Sequence, residues 1–574
     1  MFMNIILKEQ ENIKIYAEIQ RTLCALTPDA NEEEIDQLFT KIPANFLTQK
    51  DTLMVICQLF AYYARIHQAS IKGNTIKLFE RILDTMKKNL QDESSFLWNI
   101  FGGLFNFKLW MYEEGLITID QIITSAQHDQ SSAIYEFFIP EIIEKEPEIF
   151  EKEIKNQITF SYSEESIQKF KELRRKYWKW LRESGDYHDP SYLEIEHDQL
   201  RLAIKRDDID SFQKILSNSC LSVNSNIRES VIENFLRNPT DLPLIEYAVH
   251  FNSMNIFKFL FLNDAKIDHR IVYGSIQSKN YDIIHLVESK VQQGYGEDSL
   301  PSSIECWNDE MTEYILDNYD CDIFKNDTDI KNKVFLLSLL SETFYSLNFV
   351  FMESTLLPFL KNNPSFVDEN IYDIIMETFS EMSCFFTKEF LKYPGLDINY
   401  HAPNYNISFM ARAIQERNSR AIEILLNNPK LDINSPCFMT LPSLHLACQF
   451  RSDMKIIRLI CTSPNIKINL KDNLCHTSAF MMAVSSGNFY ATKYLIDNFT
   501  NLEEKDLAKF FFPCIKYHHL MTLKVILKYF IDQNKNVSEE QIISNFISQF
   551  SKEQNYLSEY PDKIREIIHE INTM

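Results

Sequence analysis

The chain has 574 residues, and its 81 acidic against 58 basic side chains give a formal net charge of −23 at pH 7. This balance disfavours non-specific binding to nucleic acids or anionic membranes, although a local basic patch remains compatible with it. The 10 glycines are few for a fold built on glycine-rich phosphate loops. The 11 cysteines are odd in number and include no C-x-x-C motif, which indicates free thiols in a reducing compartment.

Neither a signal peptide nor a membrane span is indicated. The first seven residues are mostly apolar, but Lys8, Glu9 and Glu11 follow them and no cleavage-site pattern does. The apolar stretches 96–111 and 334–360 are interrupted by charged residues, whereas a span needs about 20 predominantly apolar residues. We therefore expect both stretches to be buried helices of a cytoplasmic protein, with a nuclear location also open.

Residues 1–185 are predicted to form a helical N-terminal domain without an internal repeat. Apolar residues recur there at helical spacing, as Ile35 and Leu38 do. Pro140 and Pro147 divide the later part of this block into short helices, because proline interrupts helical hydrogen bonding.

The segment 163–182 predicts a basic amphipathic helix. Aromatic residues such as Tyr177 and Trp180 fall on one face, and basic residues such as Arg174 line the rest, with Trp178 among them. The helix either packs its aromatic face on the domain and exposes its charges, or binds an acidic partner or a surface. In the second case the chain would be an adaptor associating with a membrane surface or nucleic acid.

Residues 190–325 repeat a plan of two short helices followed by a polar turn. The helical patterns at 244–248 and 256–260 are closed by the turn 263–268, and an earlier turn at 218–224 has a similar sequence. Asn and Asp favour such turns because their side chains bond to nearby backbone groups.

A repeat of about 35 residues is clearest between residues 390 and 487. The segments 390–399, 425–434 and 459–469 have nearly the same sequence, and their prolines are 35 residues apart. A fixed period in this range predicts stacked helical units, because no single unit can cover its own apolar face.

A second marker has the same period. Leu444-His445-Leu446-Ala447 has Ala413 at 34 residues upstream and Ala483 at 36 residues downstream, and Gly487 follows Ala483. On these residues the chain resembles the ankyrin-repeat family. The resemblance implies an all-α solenoid, a structural role for His445 in bonding between turns, and a function in protein binding.

The resemblance divides the chain into five parts. Residues 190–325 are similar to a divergent ankyrin-like domain of unknown function found in large ankyrin families of protozoa, which implies a fold but no activity. We thus expect a helical N-terminal domain at 1–185, divergent ankyrin-like repeats at 190–325, atypical repeats at 326–400, ankyrin repeats at 401–535 and a C-terminal helical cap at 536–574.

Candidate residues for chemistry are few. His518 and His519 are adjacent, and neighbouring side chains on a helix point about 100° apart, so such a pair rarely holds one metal ion. Cys475 and His476 fall in a predicted turn without a partner at zinc spacing. No nucleophile elbow, zinc-protease motif or phosphate loop is present. We expect no catalysis, no metal and no cofactor, and an enzyme site within 1–185 is the least favoured hypothesis.

In the ankyrin family, partners bind the projecting turns and the inner helices. Three residues at the predicted turns, Phe438, Met439 and Leu474, are unusually apolar, so they either form a partner site or pack on neighbouring turns. We therefore expect a non-catalytic scaffold with a protein partner, and neither a small-molecule substrate, nucleic acid nor membrane insertion. The predicted partner-binding residues are Asn404, Tyr405, Ile407, Phe438, Met439, Leu441, Leu474 and Thr477.

Overall fold

Helices dominate the computed structural model, which confirms the all-α class, and its strands are only two or three residues long. Near the C-terminus the structure describes residues 541, 544, 562 and 565–569. Before them it describes residues 2–26, 31–67, 74–129, 132–155, 163–183, 185–219, 221–228, 241–291, 295–318, 330–379, 384–391, 395–402, 406–452, 454–499, 507–517 and 519–533.

The first part of the chain folds into short and medium helices. Asn31 caps the second of them, with its side chain accepting from the N–H of Glu34, and Ile35 and Leu38 are buried as their spacing predicts. A π-helical turn, Phe150–Ile154, follows the last helix of this part of the chain. The helices are α1 (Phe2–Ala25), α2 (Glu32–Lys41), α3 (Ala44–Thr48), α4 (Lys50–Ile66), α5 (Asn74–Asn89), α6 (Ser94–Ile100), α7 (Phe105–Glu113), α8 (Ile119–Asp129), α9 (Ser132–Lys145) and α10 (Pro147–Ile149).

The middle part consists of one long helix and a series of helix pairs. Asn226–Ile227 (β1) and Leu242–Pro243 (β2) form a two-stranded antiparallel sheet. The helices are α11 (Glu164–Glu183), α12 (Gln199–Lys205), α13 (Ile209–Ser219), α14 (Leu244–His250), α15 (Met254–Leu262), α16 (His269–Ser278), α17 (Tyr281–Lys290), α18 (Leu300–Glu305), α19 (Asp309–Asn318), α20 (Ile330–Ser346), α21 (Phe349–Phe351), α22 (Leu357–Asn362), α23 (Pro364–Glu377) and α24 (Cys384–Phe390).

The last part adds further helix pairs and two β-hairpins. The helices are α25 (Phe409–Gln415), α26 (Ser419–Leu426), α27 (Ser443–Gln449), α28 (Met454–Cys461), α29 (Ala479–Ser486), α30 (Phe489–Asn498), α31 (Leu507–Lys516) and α32 (Leu520–Gln533). The strands are β3 (His401–Ala402), β4 (Ile407–Ser408), β5 (Pro436–Phe438) and β6 (Leu441–Pro442), which pair antiparallel in that order.

The chain is organised in two compact units. Unit 1 contains residues 1–118 and 162–396, and unit 2 contains residues 119–161 and 397–574. Residues 119–161, which we placed in the N-terminal domain from sequence, therefore share a unit with the C-terminal repeats. The rest of that N-terminal block shares a unit with the middle helix pairs.

In unit 1, helix α1 is bonded to residues more than 300 positions later. Gln20 Nε2 donates to Asn348 Oδ1 at 3.1 Å, and Gln20 Oε1 accepts from the N–H of Val350 at 3.1 Å. Tyr62 stacks on Trp307 with ring centroids 5.2 Å apart. These side chains are nearly all buried, so the first helices and the middle helix pairs share one core.

Among the described residues, the first helix ends in the same way in eight helix pairs. In each, a backbone N–H donates to the carbonyl five residues earlier, as from Asn488 to Ala483 at 2.9 Å, and the turn between them passes through a residue with positive φ wherever that residue is described. Ser275 in α16 is also buried, but there the N–H of Lys279 bonds to Ile276 O, so this helix ends differently. The buried acceptors are Ala203, Ala248, Ser303, Thr343, Ala413, Ala447, Ala483 and Cys514.

Asparagine side chains join successive units at the turns. Asn434 Nδ2 donates to Asn465 O at 2.8 Å, and Asn434 Oδ1 accepts from the N–H of Lys467 at 2.7 Å. Asn399 makes the equivalent pair of bonds one unit earlier, to Lys430 and Asp432. The recurring Asp-Ile-Asn sequence thus has a physical role, because each asparagine satisfies backbone groups of the following unit.

Candidate partner-binding surface

The hairpins of unit 2 bring four of the eight predicted residues together. Ile407 pairs with Phe438 across β4 and β5, and Phe438 pairs with Leu441 across β5 and β6. Met439 lies at the turn of the second hairpin, where its N–H donates to Asn406 O at 3.4 Å. The two hairpins therefore form one continuous surface. We call this surface, together with the turn 473–477, the hairpin edge.

The exposed part of the hairpin edge is small and apolar. Leu474 is 73% exposed and Met439 is 62% exposed, whereas Ile407, Phe438 and Leu441 are half-buried. The remaining two predicted residues of the first hairpin, Asn404 and Tyr405, lie outside the described residues.

Thr477, the eighth predicted residue, is held by bonds inside the protein. Its N–H donates to Asp472 Oδ2 at 2.7 Å, its hydroxyl donates to the same oxygen, and its carbonyl accepts from His445 Nε2 at 3.0 Å. Asp472 also accepts from the N–H groups of Leu474 and Cys475. Burial alone would raise the pKa of Asp472, but these hydrogen bonds hold it well below its ordinary value. Thr477 thus shapes the turn that presents Leu474.

Met439 has an unusual backbone conformation for its residue type. Its φ is +51°, in the left-handed region, which Asn406 and His476 also adopt in the neighbouring turns, with φ of +49° and +54°. Glycine and asparagine adopt this region readily, whereas other residues lose roughly 1–2 kcal/mol there. The side chain of Met439 is exposed, so this conformation is held by the backbone: the N–H of Met439 donates to Asn406 O, and its carbonyl accepts from Asn406 Nδ2. Sequence inspection did not reveal the strain, because it depends on the turn type.

The opposite ends of the same helices carry a different surface, the short-turn edge, made of the turns between paired helices. Arg417 Nη1 donates to Ser125 Oγ at 3.3 Å, and Arg451 Nη1 donates to Gln127 O at 3.0 Å. Residues from the segment 119–154 therefore lie on this edge of unit 2.

Two further contacts join the later part of the segment 119–154 to helix α32. Glu153 Oε1 accepts from the N–H of Met521 at 2.8 Å, and Lys524 Nζ lies 2.6 Å from Glu148 Oε2. Burial raises the pKa of Glu153 to about 7, although the bond from Met521 and the charge of Arg451 oppose the shift. Sequence reasoning missed this contact, because the residues are more than 360 positions apart.

The inner helices α25 and α27 have little free surface. Every residue of α27 except Gln449 is buried, and in α25 the residues Phe409 to Ala411, Ala413 and Ile414 are buried. The inner helices were expected to help bind a partner, but in this structure these two offer almost no exposed side chain. The hairpin edge is the exposed part of the predicted site.

The basic helix α11 buries more than its predicted aromatic face. Arg174, expected on the charged face, is only 3% exposed, and Trp180 is buried with its indole N–H bonded to Asp186 O. Trp178 packs against Phe107 and Trp110 at ring-centroid distances of 5.5 and 5.9 Å. The helix is therefore packed on two sides rather than lying free on the surface.

Two further features of the described residues bear on membrane and metal binding. In that part of the chain, every helix is too short or too polar to cross a lipid bilayer, and no group of three or more His, Cys, Asp or Glu side chains is placed to hold a metal ion. His518 lies outside those residues, and His519 lies over Gly487. Models of known protein families do not match the chain, and characterised proteins show no significant similarity to it.

Proposed function

We propose that this protein is a non-catalytic scaffold of degenerate ankyrin repeats that binds a protein partner through the hairpin edge. The repeated helix ends, the asparagine bonds between units and the bond from His445 to the next turn support the repeat assignment. The cytoplasm is the proposed location, since the described cysteines form no disulfide among themselves.

The observation that carries the proposal is the exposed, strained methionine at the turn. Met439 pays a conformational penalty that neither burial nor a hydrogen bond of its side chain explains, and Leu474 on the next hairpin is more exposed still. Strain held at an exposed position is characteristic of binding sites. A partner that buries both side chains would gain about 1.5–3 kcal/mol from each.

The alternative, an adaptor that uses α11 on a membrane or nucleic acid, has weaker support. Such a helix would have to offer its aromatic residues to the surface, but Tyr177 and Trp180 are buried within unit 1. We therefore place the partner site on the hairpin edge.

Photo-crosslinking tests the proposal. A photoreactive residue replaces Leu474 in the full chain, and the matched control replaces Leu262, which is 77% exposed and ends helix α15 in unit 1. We expect a protein adduct from position 474 in cells, and its loss when Met439→Asp is added. Circular dichroism and thermal unfolding check that both variants are folded.

Two outcomes would overturn the proposal. One is an adduct of the same mass and yield from position 262, which would show that exposure alone explains capture. The other is an adduct at position 474 that persists unchanged in the folded Met439→Asp variant. In that case the two apolar side chains do not act as one site.

A further inference from the structure

A cleft in unit 1 lies between helices α5, α7 and α11. Its volume is about 450 Å³, within the range of pockets that hold small molecules. Helix α11 lines it with one side of its last turns, and α5 and α7 supply the opposite wall. The residues that define it best are Lys77, Trp110, Arg174, Arg175, Trp178 and Arg182.

One wall of the cleft is aromatic. Trp178 is half-buried and is held in place by Phe107 and Trp110, whose ring centroids lie 5.5 and 5.9 Å away. A ring fixed in this way offers a rigid surface on which a planar group can stack without ordering a mobile side chain.

The formal charge of the cleft is opposite in sign to that of the whole chain. It is lined by five cationic and three acidic side chains, which gives it a formal charge of +2 in a chain of −23. Arg182 pairs with Glu80, and Lys179 lies 4.0 Å from Glu183. Among the described residues, no carboxylate lies within ion-pair distance of Lys77 or Arg175.

We propose that this cleft binds a small organic anion that combines a planar ring with a phosphate or carboxylate group. The ring lies against Trp178, and the oxyanion lies among Lys77, Arg174 and Arg175. Arginine suits this role because its planar fork of donors matches the geometry of both oxyanions. The molecule is a ligand, and the inference is independent of the partner on the hairpin edge.

Calorimetric titration of the full chain at low ionic strength tests the inference, since salt screens exposed cations. The probes are adenosine diphosphate and indole-3-acetate, which carry the ring with either oxyanion, and adenosine and inorganic phosphate, which each lack one part. We expect at least one ring-bearing anion to bind at least about tenfold more tightly than adenosine and phosphate.

Paired variants locate the binding. Lys77→Gln with Arg175→Gln should weaken binding at least about tenfold, because it removes two cations that have no carboxylate partner among the described residues. The control is Lys176→Gln on the same helix, which pairs with Glu194 and does not line the cleft. No heat from either ring-bearing anion up to about 1 mM, equal loss in the control, or undiminished binding in the folded double variant would each overturn the inference.

Discussion

The two edges of the helix pairs in unit 2 differ in almost every physical respect. At the short-turn edge, Arg451 bonds to Gln127 and Glu153 bonds to Met521, so the chain covers this edge with its own segment. At the hairpin edge, Met439 and Leu474 are exposed and one of them is strained. The same repeat therefore presents a surface that the protein uses for its own stability and another that it leaves open.

The comparison indicates which substitutions should change stability and which should change the proposed binding. An array that stacks only its own units leaves the inner helices free, but here α25 and α27 are buried. Substitutions at the short-turn edge should therefore change stability, and substitutions at the hairpin edge should change binding.

The largest expected effect comes from removing apolar volume from the covering segment. Phe138 in α9 is fully buried, and Phe138→Ala should lower the free energy of unfolding of unit 2 by about 3–5 kcal/mol, because the cavity it leaves is not refilled. Urea denaturation measures the change. Leu474→Ala, at the other edge, should stay within about 0.5 kcal/mol of the wild type. Equal effects of the two substitutions would contradict the comparison.

Glu153 should make the stability of unit 2 depend on pH. Its pKa is raised to about 7 in the folded protein from an ordinary value of 4.5, so the folded state holds the proton more tightly. The stabilisation is therefore complete below about pH 4.5 and is lost as the pH rises to about 7, a change of up to about 3 kcal/mol.

Glu153→Gln keeps an acceptor for the N–H of Met521 and removes the titration. Urea denaturation across this pH range should show a smaller slope in the variant than in the wild type. The matched control is Glu151→Gln, an exposed residue of the same turn that is bonded to Lys155. If the Glu153→Gln variant keeps the wild-type slope, Glu153 is not the group responsible.

Gly487 should tolerate no side chain. It has a φ of +73°, and a methyl group there would overlap the ring of His519. We expect Gly487→Ala to lower the free energy of unfolding by about 2 kcal/mol, from backbone strain and from the overlap. Adding His519→Ala should recover part of the loss, which thermal or urea unfolding can measure.

Gly115→Ala separates the two causes. Gly115 has a similar φ of +77°, but nothing lies within 4 Å of the added methyl, so only strain of about 1 kcal/mol is expected. A loss as large as that of Gly487→Ala would show that the ring of His519 contributes nothing.

The smallest effect has the opposite sign. Met439→Asn should raise the free energy of unfolding by about 0.5 kcal/mol, because asparagine adopts positive φ more readily, as Asn406 does in the preceding hairpin. The same change should reduce capture of a partner from position 474. Met439→Ala, which keeps the strain, should reduce capture without the gain in stability. A variant that loses stability on Met439→Asn would refute the strain argument.

Much of the local structure could be predicted from local pattern. Ile35 and Leu38 are buried on one helix face, and Ala413, Ala447 and Ala483 are buried at equivalent helix ends. Thr343 occupies the same kind of position, 70 residues before Ala413, but was missed because it is not alanine. Turn chemistry was predicted less well: the exposure of Met439 and Leu474 fits a partner site, but Thr477 is bonded within its own turn.

Helical periodicity, small residues at helix ends and asparagine at turns act over a few neighbouring residues, so they can be read from the chain directly. The contact of the segment 119–154 with the short-turn edge cannot be read in this way. Glu153 and Met521 are 368 positions apart, and the sequence around neither residue indicates that they are bonded. The burial of Arg174 could not be predicted from local sequence either. A basic helix has the same sequence whether its charged side chains face water or line a cleft. Such choices depend on which apolar surfaces bury one another, and that is decided only when the whole chain has folded.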